Sequence, residues 1–205
     1  APGCNARAVV EYVLSALLAL QVDFLGGCRI GIVGCGNVGG RLLRCLQQAG
    51  ANVCAYDPLL ADQALPLVDF AAILQCEVIC LHTPLTRSGS YPTFHLFGAA
   101  EIARLRPGTV LLNAGRGAVI DNAALLQRLQ RAKDLRVVLD VWENEPAIDA
   151  DLLEQVAIGT PHIAGYSAEG KWRGTEMVYE ALCQYLQREP QPVRVRLEGD
   201  IVPYA

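Results

Sequence analysis

The chain has 205 residues, of which 52% are hydrophobic and 19% charged, ample for a packed globular core. Its 17 Lys and Arg are scattered among 21 Asp and Glu, for a formal charge of -4, which excludes a nucleic-acid footprint and leaves small molecules as the expected partners. The apolar span at residues 9–20 is too short to cross a membrane and lacks a signal cleavage site, so no membrane association is expected. Eight cysteines without a C-x-x-C pair read as reduced, mostly buried thiols of a cytoplasmic protein.

Residues 5–20 place Val9, Val10, Val13, Leu14, Leu17 and Leu18 at helical spacing, with Asn5 as the expected N-cap. Few polar residues lie opposite. This linking or interface helix is therefore expected to bury its second face against another chain or domain. After a short connection, strands and helices alternate. Strand 29–33 leads to helix 37–49, with Gly50 at the C′ position, and strand 52–56 follows. A short helix around 70–74, strand 77–81 and a helix near 98–105 come next, then strand 109–112 and helix 122–132, capped by Asp121. Strand 137–140, a brief strand at 157–159 and a helix from about 168 to 187 complete the pattern. The alternation predicts an α/β fold, a doubly wound parallel sheet of Rossmann type over residues 1–187, with an irregular tail at 188–205.

The first strand runs into Gly34-Cys35-Gly36-Asn37-Val38-Gly39, a G-x-G-x-x-G turn. Gly34 suits the tight bend, Gly36 a close approach of backbone to a diphosphate, and Gly39 close packing of helix on strand. The motif alone is weak. Its context strengthens it, because the second strand ends at Asp57, 18 positions past Gly39, where a carboxylate meets adenosine ribose hydroxyls. A dinucleotide cofactor, NAD, is expected. No Arg or Lys stands in residues 58–63 to hold a 2′-phosphate.

Thr83, Arg116, Asp140, Glu145 and His162 also fall at strand ends, where ligands of parallel sheets bind. Arg116 between two glycines suits the planar recognition of a carboxylate. Glu145 and His162 follow neighbouring strands and read as an acid/base pair, the carboxylate orienting the imidazole and favouring its charged form. His82 and His95 read instead as structural or solvent-facing. No metal site is expected.

The ordered set of the glycine motif, His82-Thr83-Pro84, Asn113-Ala114-Gly115-Arg116-Gly117, Asp140-Val141-Trp142-Glu143-Asn144-Glu145-Pro146 and Thr160-Pro161-His162-Ile163-Ala164-Gly165 resembles the NAD-dependent D-2-hydroxyacid dehydrogenases. The likeness covers residues 2–187. It implies an oxidoreductase with Arg116, Glu145 and His162 catalytic. It further implies pyrophosphate contacts at Asn37 and Val38, ribose contacts at Asp57, and cofactor contacts at Thr83, Ala114, Gly115, Asp140 and Gly165. Tyr166 and Arg116 would touch substrate. The N-terminal Pro2-Gly3-Cys4-Asn5-Ala6 and the segment from Gly165 to Thr175 look most like the branch that oxidises 4-phospho-D-erythronate in vitamin B6 synthesis. That branch implies a homodimer, and implies that part of the substrate domain and a dimerisation domain lie outside this chain. The alternatives are a 3-phosphoglycerate or glyoxylate/hydroxypyruvate type of the same family and a non-catalytic dinucleotide-binding regulator. A methyltransferase would leave Arg116, Glu145 and His162 unexplained.

Overall fold

The computed structural model describes residues 1–60 and 64–191. Six parallel strands form one sheet: β1 (Ile30–Val33), β2 (Val53–Tyr56), β3 (Val78–Leu81), β4 (Val110–Asn113), β5 (Arg136–Leu139) and β6 (Ile158–Gly159). Their order is β2-β1-β3-β4-β5-β6. Every residue of β1, β3 and β4 is buried, as a parallel sheet covered on both faces requires. Helices α1 (Ala6–Ala19) and α2 (Gly39–Gln48) cover one face. There Val13, Leu17, Leu42 and Leu46 pack on Ile32 and Cys80. The other face carries α3 (Phe70–Ile73), α4 (Ala99–Arg104), α5 (Asn122–Ala132) and α6 (Ala150–Gln155). Their Ile73, Ile102, Leu125 and Leu152 meet Ile79, Leu111 and Val137. The last helix, α7 (Ala168–Tyr185), buries only Gly170 and Cys183.

The sheet is doubly wound, as the alternation predicts. The chain leaves β1 toward β2 and returns to β3 on the opposite side of β1, which opens a crevice beyond the carboxyl ends of β1 and β3.

Two local expectations differ from the structure, and two short elements were not expected. Helix α2 begins at Gly39 rather than residue 37, because Gly36, Asn37 and Val38 belong to the turn. Asn5 stands before α1 but makes no capping hydrogen bond; its side chain lies against Gly165 instead. Helix α6 and a 3-10 turn at Gly117–Val119 were absent from the periodic pattern, since each is under two turns long and too short to show a period. Residues 61–63 and residues 192–205 of the expected tail lie outside the described residues.

Candidate active site

The glycine turn is built by exclusion. Gly34 has φ +88°, and a Cβ there would stand 2.9 Å from Thr83 Cγ2 and 3.0 Å from the His82 carbonyl. A Cβ on Gly39 would overlap the Gly34 carbonyl oxygen, whereas one on Gly36 would meet nothing within 4 Å. The turn is thus packed on both flanks and open at its middle. Asp57 is wired to it: its carboxylate accepts hydrogen bonds from the backbone N–H of Cys35 (2.8 Å) and of Leu59 (3.1 Å).

Two clefts flank this turn and share Gly36, His82, Thr83 and Pro84. The smaller, 330 Å³, is walled by Asp57, Leu59 and Tyr91. The larger, 660 Å³, is lined by Asn37 and Val38, by Ala114, Gly115 and Arg116, and by Asp140, His162, Gly165 and Tyr166. Where the clefts join, Thr83 Oγ1 and both ring nitrogens of His82 are buried without a hydrogen-bond partner. Burial pushes the His82 imidazole down to about 4, so the ring is neutral at physiological pH. An elongated ligand with polar groups at its middle suits this shape. A dinucleotide has that elongated form.

Arg116, Glu145 and His162 come from three neighbouring strand ends, and Arg116 and His162 line the larger cleft. At the end of β4, the wholly buried Asn113 accepts the Gly115 N–H (3.0 Å) and donates to the Arg116 carbonyl (2.9 Å), shaping the turn that presents Arg116. The Arg116 side chain is exposed and makes no ion pair among the described residues. Glu145 accepts the Trp142 N–H with one oxygen (2.7 Å) and His162 Nδ1 with the other (2.8 Å). A carboxylate here accepts from Nδ1, so in the neutral ring the proton sits on Nδ1 and Nε2 keeps a free lone pair. Glu145 itself lies outside the larger cleft and lines a smaller apolar hollow with Trp142 and Leu153.

Asp140 is 1% exposed and holds the turn that carries His162. It accepts from Thr160 Oγ1 (2.6 Å) and from the N–H groups of Ile163 (2.7 Å) and Ala164 (2.9 Å), while its carbonyl accepts the His162 N–H (2.7 Å). Thr160 in turn meets the Tyr12 hydroxyl of α1 at 2.7 Å. Tyr166 projects from the rim, its ring under Lys171 Nζ at 3.6 Å, and the Lys171 ammonium lowers the pKa of its hydroxyl. Sequence reasoning missed part of the wall: Pro2, Gly3, Asn5 and Val9 line the larger cleft. The signal available was the Pro2-Gly3 pair; in the structure Gly3 adopts φ +79° and lies close against the Asn37 side chain.

Residues 15–164 match the family model "D-isomer specific 2-hydroxyacid dehydrogenase, NAD binding domain". The chain is 56% identical over 192 residues to an erythronate-4-phosphate dehydrogenase of Cellvibrio japonicus, covering 93% of this chain and 50% of that protein. It is 48% identical to the enzyme of that name from Pseudomonas putida, covering 99% and 54%. It spans about half the length of the curated relatives it matches. Among solved structures, a D-lactate dehydrogenase of Treponema pallidum superposes with a TM-score of 0.72 at 28% identity, over 94% of this chain and 69% of that one. An NAD-dependent formate dehydrogenase of Staphylococcus aureus, solved with NAD, gives 0.73 at 26% identity, over 93% and 65%. The cofactor is NAD, and the chain belongs to the D-isomer specific 2-hydroxyacid dehydrogenases as their NAD-binding domain.

Proposed function

We propose that the protein carrying this chain oxidises 4-phospho-D-erythronate to 2-oxo-3-hydroxy-4-phosphobutanoate, within pyridoxal phosphate synthesis. The observation that carries the reading is that Arg116 and His162 line one 660 Å³ cleft, with Glu145 hydrogen-bonded to the back of the His162 ring. Identities of 48–56% to enzymes named for this substrate supply the substrate. Bound NAD supplies the acceptor for the hydride that leaves C2. His162 Nε2 takes the C2 hydroxyl proton, and Glu145 at Nδ1 holds the ring in the tautomer that can do so. Arg116 holds the carboxylate through its planar fork and polarises the oxygen at C2 as the carbonyl forms. Asn37 and Val38 face the diphosphate, Asp57 the ribose, and Thr83, Ala114, Gly115 and Gly165 the cofactor body. Asp140 serves the same site by fixing the His162 turn. Tyr166 meets substrate at the rim.

We place the enzyme in the cytoplasm as a homodimer. None of its described helices is long and apolar enough to cross a membrane. Leu18 on α1 is 61% exposed, although the helix buries a continuous stripe on α2 and the sheet. The test is NADH formation by the full-length protein with 4-phospho-D-erythronate, beside 3-phosphoglycerate and glycerate. The phosphorylated four-carbon acid is expected to give the highest kcat/KM, with His162→Asn inactive. Equal or faster turnover of either three-carbon acid would overturn the substrate assignment.

A further inference from the structure

His95 lies outside both clefts, yet it joins the two loops that carry the reactive groups. Its ring stands between two carboxylates, with Nε2 2.8 Å from Glu143 Oε1 and Nδ1 3.7 Å from Asp121 Oδ2. The same three side chains could be taken for a cation site. The carboxylates face different ring nitrogens, however, so they clamp the ring instead of converging with one nitrogen on an ion. The other oxygens are also engaged: Glu143 Oε2 accepts the Asn122 N–H (2.8 Å) and Asp121 Oδ1 caps α5 at the Ala124 N–H (2.9 Å).

From this clamp, contacts run to both reactive loops. On one side the His95 N–H donates to the Ala118 carbonyl (2.8 Å), two residues past Arg116. On the other, the Glu143 N–H donates to Asn122 Oδ1 (3.1 Å), and one residue earlier the Trp142 N–H holds Glu145 Oε1. The loops also touch directly. A Cβ on Gly117 would overlap the Trp142 carbonyl, so the segment after Arg116 lies flat against the segment before Glu145. His95 adopts φ +50°, a left-handed conformation that brings its backbone and its ring to the two loops at once.

We propose that His95 is a positioning residue for the dehydrogenase reaction. Through Glu143 it sets the Trp142–Glu145 segment, and hence the Glu145–His162 hydrogen bond, against the loop that presents Arg116. The inference rests on the acid/base reading of Glu145 and His162 given above. Displacements of about 1 Å in such a constellation cost up to ~100-fold in rate.

The test uses the full-length protein and compares His95→Leu with His95→Gln, whose amide N–H still reaches Glu143. His95→Leu is expected to lower kcat by about 10- to 100-fold, with the NADH dissociation constant within about twofold of wild type; His95→Gln is expected to recover most of it. A second readout needs no turnover. The low-field His162 Nδ1–H proton resonance, assigned by its absence in His162→Asn, reports the hydrogen bond to Glu145. It should shift or vanish in His95→Leu and return in His95→Gln. If His95→Leu does not fold, Glu143→Gln takes its place in both measurements. Wild-type kcat together with an unmoved His162 resonance overturns the proposal. A wild-type protein inactive on every 2-hydroxy acid sinks the functional reading instead, and the His162 resonance then decides the role of His95 alone.

Discussion

At the scale of single residues, the glycine turn separates a folding constraint from a binding one. Gly39 has no room for a Cβ, because the Gly34 carbonyl occupies that position. Gly39→Ala is therefore expected to destabilise the fold by about 1–3 kcal/mol. Gly36 faces open space, so Gly36→Ala should unfold at the wild-type denaturant concentration while losing NADH affinity, its methyl standing where the diphosphate approaches. Denaturation and fluorescence titration of both variants check this, and tight NADH binding by Gly36→Ala would place the diphosphate elsewhere. Asp57 makes a second residue-scale prediction. Its carboxylate is fixed by the N–H groups of Cys35 and Leu59, and it would repel a 2′-phosphate. NADPH should bind at least about tenfold more weakly than NADH, a difference of about 1.4 kcal/mol. Equal affinities at moderate salt would remove Asp57 from the ribose site.

Helices of this fold differ in how far a local change spreads. Asp149 accepts the N–H groups of Asp151 and Leu152 at the start of α6, and Leu152 is wholly buried in the core. Ser167 caps α7 by accepting the Gly170 N–H (2.9 Å), but α7 sends only Gly170 and Cys183 inside. Either cap is worth about 1 kcal/mol. Asp149→Ala should therefore lower the stability of the whole chain by that amount. Ser167→Ala should chiefly speed hydrogen exchange in the first turn of α7, about fivefold, with the global transition nearly unmoved. A global shift in Ser167→Ala as large as that in Asp149→Ala would mean that α7 unfolds together with the sheet.

For the molecule as a whole, His82 links stability to acid. Its imidazole is held near 4 by burial, against an ordinary value of 6.5. Between those values the unfolded chain binds a proton that the folded chain refuses. This stabilising contribution is therefore fully present above about pH 6.5 and declines as the pH falls toward 4, by up to about 3 kcal/mol. Urea denaturation at pH 7 and pH 4.5 should show a loss that is about 2–3 kcal/mol smaller in His82→Leu than in wild type. Equal losses would mean that the ring is not held neutral. The same ring, with its two unpartnered nitrogens, borders both clefts.

Much of this was legible in the chain before any contact was known. Parallel strands buried on both faces read as unbroken apolar runs, which made β1, β3 and β4 visible, and the glycine spacing after β1 expresses steric limits that no other residue meets. Asp57, Arg116, Glu145 and His162 stood out because polar residues directly after such runs fall on one edge of the sheet. The strand order also suggested that Glu145 and His162 could meet, but tertiary structure decided the contact and its geometry. Glu145 and His162 touch because β5 and β6 are neighbours and because Asp140 folds the turn that carries His162, a geometry that spacing along the chain does not encode. The same holds for Asn5, expected as a helix cap and found in the cleft wall, and for His95, expected as bland and found between two loops. Local sequence determines elements and the edge where chemistry collects, since both follow from short-range sterics and burial. Side-chain partners are set by which elements become neighbours, and that is settled only when the sheet is assembled.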